Sequence, residues 1–212
     1  LVTAPTFAEY AAALEGAGCA VRRHFLQAEV DFAVTDSILS SITPEVDMVF
    51  LCQPNNPTGQ LTPLPLVERI LRRCEACGAL LVVDECFLDF LPDCDTLTAK
   101  ALLDSKNLLI LKAFTKLYGM AGVRLGYCLC ANTALLEAMQ AAGQPWAVSS
   151  LAQAAGLAAL DETAYVAQVR ALIAQQRPRL TAGLRALGLR VLDGRANYLL
   201  FQGPETLGDA LR

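Results

Sequence analysis

The stretch Asp47-Met48-Val49-Phe50-Leu51-Cys52-Gln53-Pro54-Asn55-Asn56-Pro57-Thr58-Gly59 decides how this chain folds. Its first half is a short apolar run, and its second half is a dense turn signal of Pro, Asn and Gly. The next segment reads as a helix: Thr62 stands as a cap, Pro63 takes the first helical position and Gly78 falls just past the end. Residues 79–84 are then a second apolar run of strand length. Strand, helix and strand in that order make a βαβ unit, and so a parallel pair of strands.

The same alternation continues outward. Upstream, Thr6-Phe7-Ala8-Glu9 reads as a capping box that opens an Ala-rich helix to about Gly16. Residues 20–26 read as a short strand and 32–42 as a helix. Downstream, 97–104 is a short helix, 107–112 a strand, Thr115-Lys116 a loop and 124–130 another strand. From Thr133 through Leu187 the pattern is mostly helical, with strands again at 189–192 and 198–201. This predicts an α/β fold, a three-layer sandwich with a mostly parallel sheet. Its large domain is expected over residues 1–165, with the start of a small α+β C-terminal domain over 166–212. The first residue is not Met, and Leu211-Arg212 reads as the early part of a helix, so the chain reads as part of a longer protein.

Composition narrows the class. The chain has 212 residues, 54% of them hydrophobic, and a formal net charge of −4. The mean hydropathy is +0.40 and the pI about 5.0. No apolar run reaches the ~18 residues of a membrane helix, so the apolar excess is read as parallel strands buried on both faces. Scattered Lys and Arg in an acidic chain give no nucleic-acid signature. Of eight cysteines, Cys52, Cys86, Cys128 and Cys130 lie in or beside expected strands as small hydrophobes. That pattern points to a reducing, cytoplasmic setting. Cys74 and Cys77 have C-x-x-C spacing but fall near a helix end with no second ligand pair, which favours packing over a redox or zinc site. His24 is the sole histidine and lies in an expected strand, so Ser/His/Asp triads and His-rich metal sites are excluded.

Three polar segments remain: 55–59, 84–87 and 115–124. Each ends or follows a strand, where open α/β sheets bind ligands. They carry what an electron-sink pyridine aldehyde requires. Lys116 offers an amine for a Schiff base. Asp84, after the apolar residues 79–83, offers a half-buried carboxylate for a ring nitrogen. Arg124 offers a phosphate partner.

Together, Asn-Asn-Pro-Thr-Gly at 55–59, Asp-Glu-Cys-Phe at 84–87, Thr115-Lys116 and Arg-Leu-Gly-Tyr at 124–127 resemble the class I/II aminotransferase superfamily, fold type I enzymes of pyridoxal 5'-phosphate (PLP). The resemblance spans nearly the whole chain. It implies that Lys116 carries PLP and shuttles protons, and that Asp84 pairs with the pyridine nitrogen. It implies further that Asn56 bonds the 3'-oxygen, that Arg124 and Thr115 serve the phosphate, and that Phe7 stacks on the ring. Two positions depart from the family pattern: Phe87 stands where Tyr is frequent, and Ala113 where Ser or Thr is frequent. Each residue also has a plainer reading: Lys116 as a solvated loop lysine, Asp84 as a strand-end cap, Asn56 as a turn residue, Arg124 in a surface ion pair, Phe7 as a helix staple.

Within the superfamily, Ala-Pro-Thr-Phe-Ala-Glu-Tyr at 4–10, residues 84–90, Thr-Lys-Leu-Tyr-Gly at 115–119 and Pro-Trp-Ala-Val at 145–148 resemble the threonine-phosphate decarboxylase branch of cobalamin synthesis. The histidinol-phosphate aminotransferase branch stands beside it. The resemblance therefore implies a phosphorylated amino-acid or amino-alcohol substrate and a homodimer. A phosphate-binding glycine turn is expected before residue 1 and a carboxylate-binding Arg after residue 212. A truncated or degenerate homologue without turnover is the competing class. A nucleotide-binding domain is disfavoured, since no G-x-G-x-x-G or Walker loop comes after a strand.

Overall fold

The computed structural model describes residues 1–204 and 206–210. In chain order these form β1 (Val2–Ala4), α1 (Ala8–Gly16), β2 (Arg23–Phe25), α2 (Ile38–Ser41), β3 (Met48–Cys52), α3 (Leu64–Cys77), β4 (Leu80–Asp84) and α4 (Cys94–Leu97). Next come β5 (Leu108–Ala113), α5 (Phe114–Leu117), β6 (Gly126–Leu129), α6 (Thr133–Ala142), α7 (Ser150–Asp161), α8 (Thr163–Ala186), β7 (Arg190–Val191), β8 (Phe201–Gln202) and α9 (Leu207–Ala210). One sheet has the order β2-β1-β3-β4-β5-β6; its first five strands are parallel and β6 runs antiparallel to β5. A separate antiparallel pair joins β7 to β8. The expected α/β architecture with a mostly parallel sheet is the one observed.

Strand alternation sorts the core into two faces. Val49 and Leu51 of β3, Leu81 and Val83 of β4, and Leu108 and Ile110 of β5 bury against α2 and α3. Phe50 and Cys52 take the other face and meet Tyr10 and Leu14 of α1. Helix α3 shows why the pairing holds. Val67, Ile70, Leu71 and Cys74 are spaced to form one buried stripe. Gly78 then closes the helix at φ +74, where a side chain would be strained. Ile70 and Leu81 are fully buried, each worth about 1.5–3 kcal/mol relative to exposure. Cys74 lies in this core, and the Cys77 thiol faces the Ile42 carbonyl, 3.6 Å away.

Several local expectations are corrected. Thr62 does not cap α3, where Pro63 holds the cap position. Its backbone N–H and carbonyl instead meet the buried Gln53 amide, at 2.8 and 2.6 Å. The capping box at 6–9 does not form: α1 begins at Ala8, and the Thr6 hydroxyl donates to Asn55 Oδ1 at 2.7 Å. The helix expected over 32–42 shrinks to α2, and that over 97–104 becomes α4 followed by a 3-10 turn, Ala99–Leu102. Thr115-Lys116 belongs to the one-turn α5, not a loop. Tyr198 precedes β8 and is not part of it. In each case a tertiary partner outweighs a local preference. His24 lies in β2 between Ser41 Oγ, at 2.9 Å, and Ser37 Oγ, at 3.2 Å. The expectation about Leu211-Arg212 lies outside the described residues.

Strand β1 has β2 on one side and β3 on the other, so successive connections leave it in opposite directions. Such a switch point opens a crevice at the carboxyl ends of the strands. The polar segment 84–87 begins at the last residue of β4, 55–59 and 115–124 come after the ends of β3 and β5, and Phe7 comes after the end of β1.

Candidate functional site

The crevice between β1 and β3 is laced shut by Asn55. Its buried amide donates to the Pro5 carbonyl at 3.0 Å and to Thr58 Oγ1 at 2.9 Å, and its Oδ1 accepts from Thr6. The Asn55 carbonyl accepts from the Tyr198 hydroxyl at 3.0 Å. Gly59 sits at φ +70, and the Arg195 N–H donates to its carbonyl at 2.6 Å. The next asparagine is different: among the described residues, no protein group engages the Asn56 side-chain amide. The two asparagines thus divide into one that builds the turn and one whose donors remain free.

Asp84 ends β4, in register with Cys52 of β3 and Leu111 of β5. It lies on the α1 face of the sheet. Its Oδ2 accepts from the Tyr10 hydroxyl at 2.5 Å, and its Oδ1 accepts from the Cys86 N–H at 3.0 Å. Tyr10 is buried, stacked on Phe50 with ring centroids 5.2 Å apart. Burial first, then the neighbouring Cys52 and Asp84, push its phenol far above the usual range, so it stays protonated and donates to the carboxylate. The same causes act on Cys52, whose thiol is pushed up to about 11 by burial and then by Asp84. Sequence reasoning assigned Tyr10 no role. The available signal was its spacing, three residues beyond Phe7 on the first turn of α1.

Glu85 points to the opposite face and is fully buried. Its carboxylate accepts from Thr98 Oγ1 and the Ala99 N–H, both at 2.7 Å, and pairs with Lys112 Nζ at 3.0 Å. Lys112 also reaches Asp89 Oδ1 at 2.8 Å. Burial alone lowers the Lys112 pKa, but the Glu85 charge and the Asp89 hydrogen bond outweigh it, and the net shift is upward. Arg170 of α8 donates to the Asp89 carbonyl, at 2.8 and 3.0 Å, which ties α8 to the loop after β4. Two successive acids therefore do different things: Asp84 faces the crevice and Glu85 anchors β4 to β5.

Lys116 stands on α5, just past the end of β5, and is exposed. Its Nζ lies 5.4 Å from the centre of the Phe87 ring, and among the described residues it has no ion pair or hydrogen bond. Phe87 meets Tyr198 edge-on at 5.1 Å. Phe87 carries no hydroxyl, and that of Tyr198 is spent on Asn55. Thr115 neighbours Lys116 with its hydroxyl free of protein partners among the described residues. Arg124 is exposed at φ 58 and donates one bond, to the Ala121 carbonyl at 3.1 Å. It is brought beside α5 by the Phe114 N–H donating to the Leu125 carbonyl and by the Ala113–Gly126 pairing. Phe7 caps α1, 41% exposed, with its ring edge-on to Tyr10 at 5.5 Å. A concavity of about 670 Å³ between α8 and residues 197–199 shares only Tyr198 with this cluster.

Comparison with known proteins agrees with this geometry. The family model described as aminotransferase class I and II matches residues 1–211. Threonine-phosphate decarboxylase of Salmonella typhimurium is 38% identical over 203 residues, 95% of this chain and 56% of that protein. Histidinol-phosphate aminotransferase of Lactiplantibacillus plantarum is 34% identical over 207 residues, 96% of this chain and 57% of that protein. The crystal structure of the histidinol-phosphate aminotransferase from Clostridium acetobutylicum superposes with a TM-score of 0.92 at 26% identity, covering 99% of this chain and 64% of that one. The chain thus spans somewhat more than half the length of these curated relatives. With its sheet order, its polar strand ends and these matches in agreement, the chain belongs to the class I and II aminotransferase family.

Proposed function

We propose that this chain is the cofactor-binding part of a PLP enzyme that decarboxylates L-threonine O-3-phosphate, a reaction of the cobalamin-synthesis type. One observation carries the reading. Asp84 and Lys116 leave neighbouring parallel strands at the same edge of the sheet, the first a carboxylate held at both oxygens, the second an amine without a protein partner among the described residues. The 38% identity to a threonine-phosphate decarboxylase supports the choice of reaction.

The residues present fit PLP. Lys116 Nζ is free to hold the aldehyde carbon, and the Phe87 ring gives it an apolar flank. Asp84 keeps lone pairs for a protonated ring nitrogen, because its Oδ2 accepts from Tyr10 and its Oδ1 from the Cys86 N–H while a carboxylate has about four lone-pair sites. Asn56 has free donors for the 3'-oxygen. Arg124 and Thr115 supply donors to the phosphate, and Phe7 offers a face to the ring. When bound, the cofactor supplies an electron sink for charge released at the substrate α carbon. With the cofactor bound, Lys116 would hold its aldehyde carbon and would be the base placed to carry a proton at the substrate α carbon. Asp84 holds the ring-nitrogen proton throughout.

Transfer of an amino group from a histidinol-phosphate-like donor to 2-oxoglutarate is the second reading. It is favoured by relatives bearing that name, among them one 39% identical over 155 residues. Both readings take a phosphorylated amino-acid or amino-alcohol substrate. Supplying L-threonine O-3-phosphate to the PLP-loaded protein separates them. Release of CO2 with an aminoalkyl phosphate supports decarboxylation; glutamate formed from histidinol phosphate and 2-oxoglutarate supports transfer. A protein that develops no visible absorption band with added PLP is the degenerate homologue that Phe87 and Ala113 bring into question.

The reading extends to organisation. Residues 1–165 form the large domain, and 166–212 begin a small one, linked through α8. The β7-β8 pair apart from the main sheet supports this division. A homodimer completes the site; the exposure of Trp146, Leu151 and Leu157 supports an apolar contact with a second copy. No described helix is long and apolar enough to cross a membrane, and the free cysteines favour the cytoplasm as the compartment.

A further inference from the structure

We propose that Tyr10 is a positioning residue for the ring nitrogen of the cofactor, acting through Asp84. The inference rests on the proposed assignment of Asp84 to that nitrogen and adds a residue to it. Three observations converge on it. The phenol is buried and clamped, its ring stacked on Phe50 at 5.2 Å and met edge-on by Phe7 at 5.5 Å. Its hydroxyl lies 2.5 Å from Asp84 Oδ2, the shortest bond made by that carboxylate. The other oxygen accepts from the Cys86 N–H of the next turn, at 3.0 Å, with the Cys86 thiol also close to the carboxylate.

A carboxylate held at one oxygen still turns about its last side-chain torsion, which is broad and roughly two-fold. A second donor at the other oxygen removes that freedom. A donor approaching a carboxylate prefers the plane of the group, so fixing the plane fixes where a pyridinium N–H is accepted. Tyr10 belongs to α1 and Asp84 to β4, so the contact couples the helix after β1 to the carboxylate across the crevice. Phe7, the residue expected against the ring face, heads the same helix turn. One short segment, residues 7–10, therefore sets both the stacking of the ring and the direction of its nitrogen.

The test uses the full chain with PLP, following affinity by visible absorption, for wild type, Tyr10→Phe, Asp84→Asn and the double variant. Tyr10→Phe is expected to weaken PLP binding about tenfold, the scale of one charged hydrogen bond. In the Asp84→Asn background the same change is expected to do nothing further, because a residue acting through another is non-additive with it. With a PLP analogue carrying carbon in place of the ring nitrogen, wild type and Tyr10→Phe are expected to bind alike. Additive losses, or an equal loss with the carbon analogue, would show that Tyr10 merely packs and would overturn the inference. Unchanged PLP affinity in Asp84→Asn would overturn the Asp84 assignment itself, and with it this one. Should Tyr10→Phe fail to fold, 3-fluorotyrosine at position 10 keeps the shape and strengthens the donor. It is expected to alter affinity for PLP but not for the carbon analogue, and equal effects on both would overturn the inference.

Discussion

Replacing Lys112 by Met removes a charge from the most enclosed ion pair described in the molecule while keeping much of the side chain's length. The Lys112 and Glu85 side chains are 2% and 0% exposed. After the change, Glu85 retains Thr98 Oγ1 and the Ala99 N–H but loses the one cation it pairs with among the described residues. Leaving one buried charge without its partner costs about 3–5 kcal/mol. Asp89 adds little to this, since its side chain is 36% exposed and water replaces the ammonium there. At about 2–4 °C per kcal/mol for a domain of this size, the midpoint of thermal unfolding is expected to fall by roughly 6–20 °C at pH 7.5. Adding Glu85→Gln removes the stranded charge, keeps an acceptor for Thr98 and Ala99, and is expected to recover most of the loss. The pH dependence has a definite sign. Because the folded pKa of Lys112 is raised, its contribution is complete below the unfolded value of about 10.4 and is lost as pH climbs through the folded value. Wild type is thus expected to lose stability steeply in the alkaline range, and the double variant less so. Circular dichroism melts from pH 7 to 11 on the cofactor-free protein read all of this. A single variant melting within about 2 °C of wild type, or a double variant no better than the single, would show that the buried pair does not stabilise the fold in this way.

Lys116→Ala should abolish the visible band formed with PLP while leaving the melt of the cofactor-free protein nearly unchanged, because the side chain is exposed and, among the described residues, has no ion pair or hydrogen bond to lose. Gly194→Ala should destabilise, since an added Cβ would lie 2.8 Å from the Gly59 backbone; the expected loss is about 1–3 kcal/mol, read by chemical denaturation. Thiol alkylation at pH 8 followed by mass spectrometry should label exposed Cys19 long before Cys52 and Cys74, which are buried with thiols pushed up to about 11 and about 12.

The sequence made the scaffold legible where burial is two-sided. Residues 79–84 and 107–112 could be read as strands because apolar runs on both faces leave few alternatives, and Gly78 could be read as a stop because α3 needs a positive φ there. Asn56, Asp84 and Lys116 could be singled out because each ends or comes after such a strand. What failed was local polar chemistry. Thr6 and Thr62 look like caps, yet each is drawn into a partner distant in sequence, Asn55 and Gln53. Nothing in Asp84-Glu85 says which acid faces the crevice; strand alternation decides it only once Lys112 is known to lie across from Glu85. Tyr10 escaped notice because its partner is 74 residues away.

If Lys116 carries the cofactor, it must be the one modified among the chain's four lysines, at 100, 106, 112 and 116. Borohydride reduction of the full chain saturated with PLP, with peptide mapping of the product, tests it most directly. A single phosphopyridoxyl adduct, on Lys116, is expected. An adduct on Lys100, Lys106 or Lys112 in its place, or none above the level of a non-specific control, would contradict it.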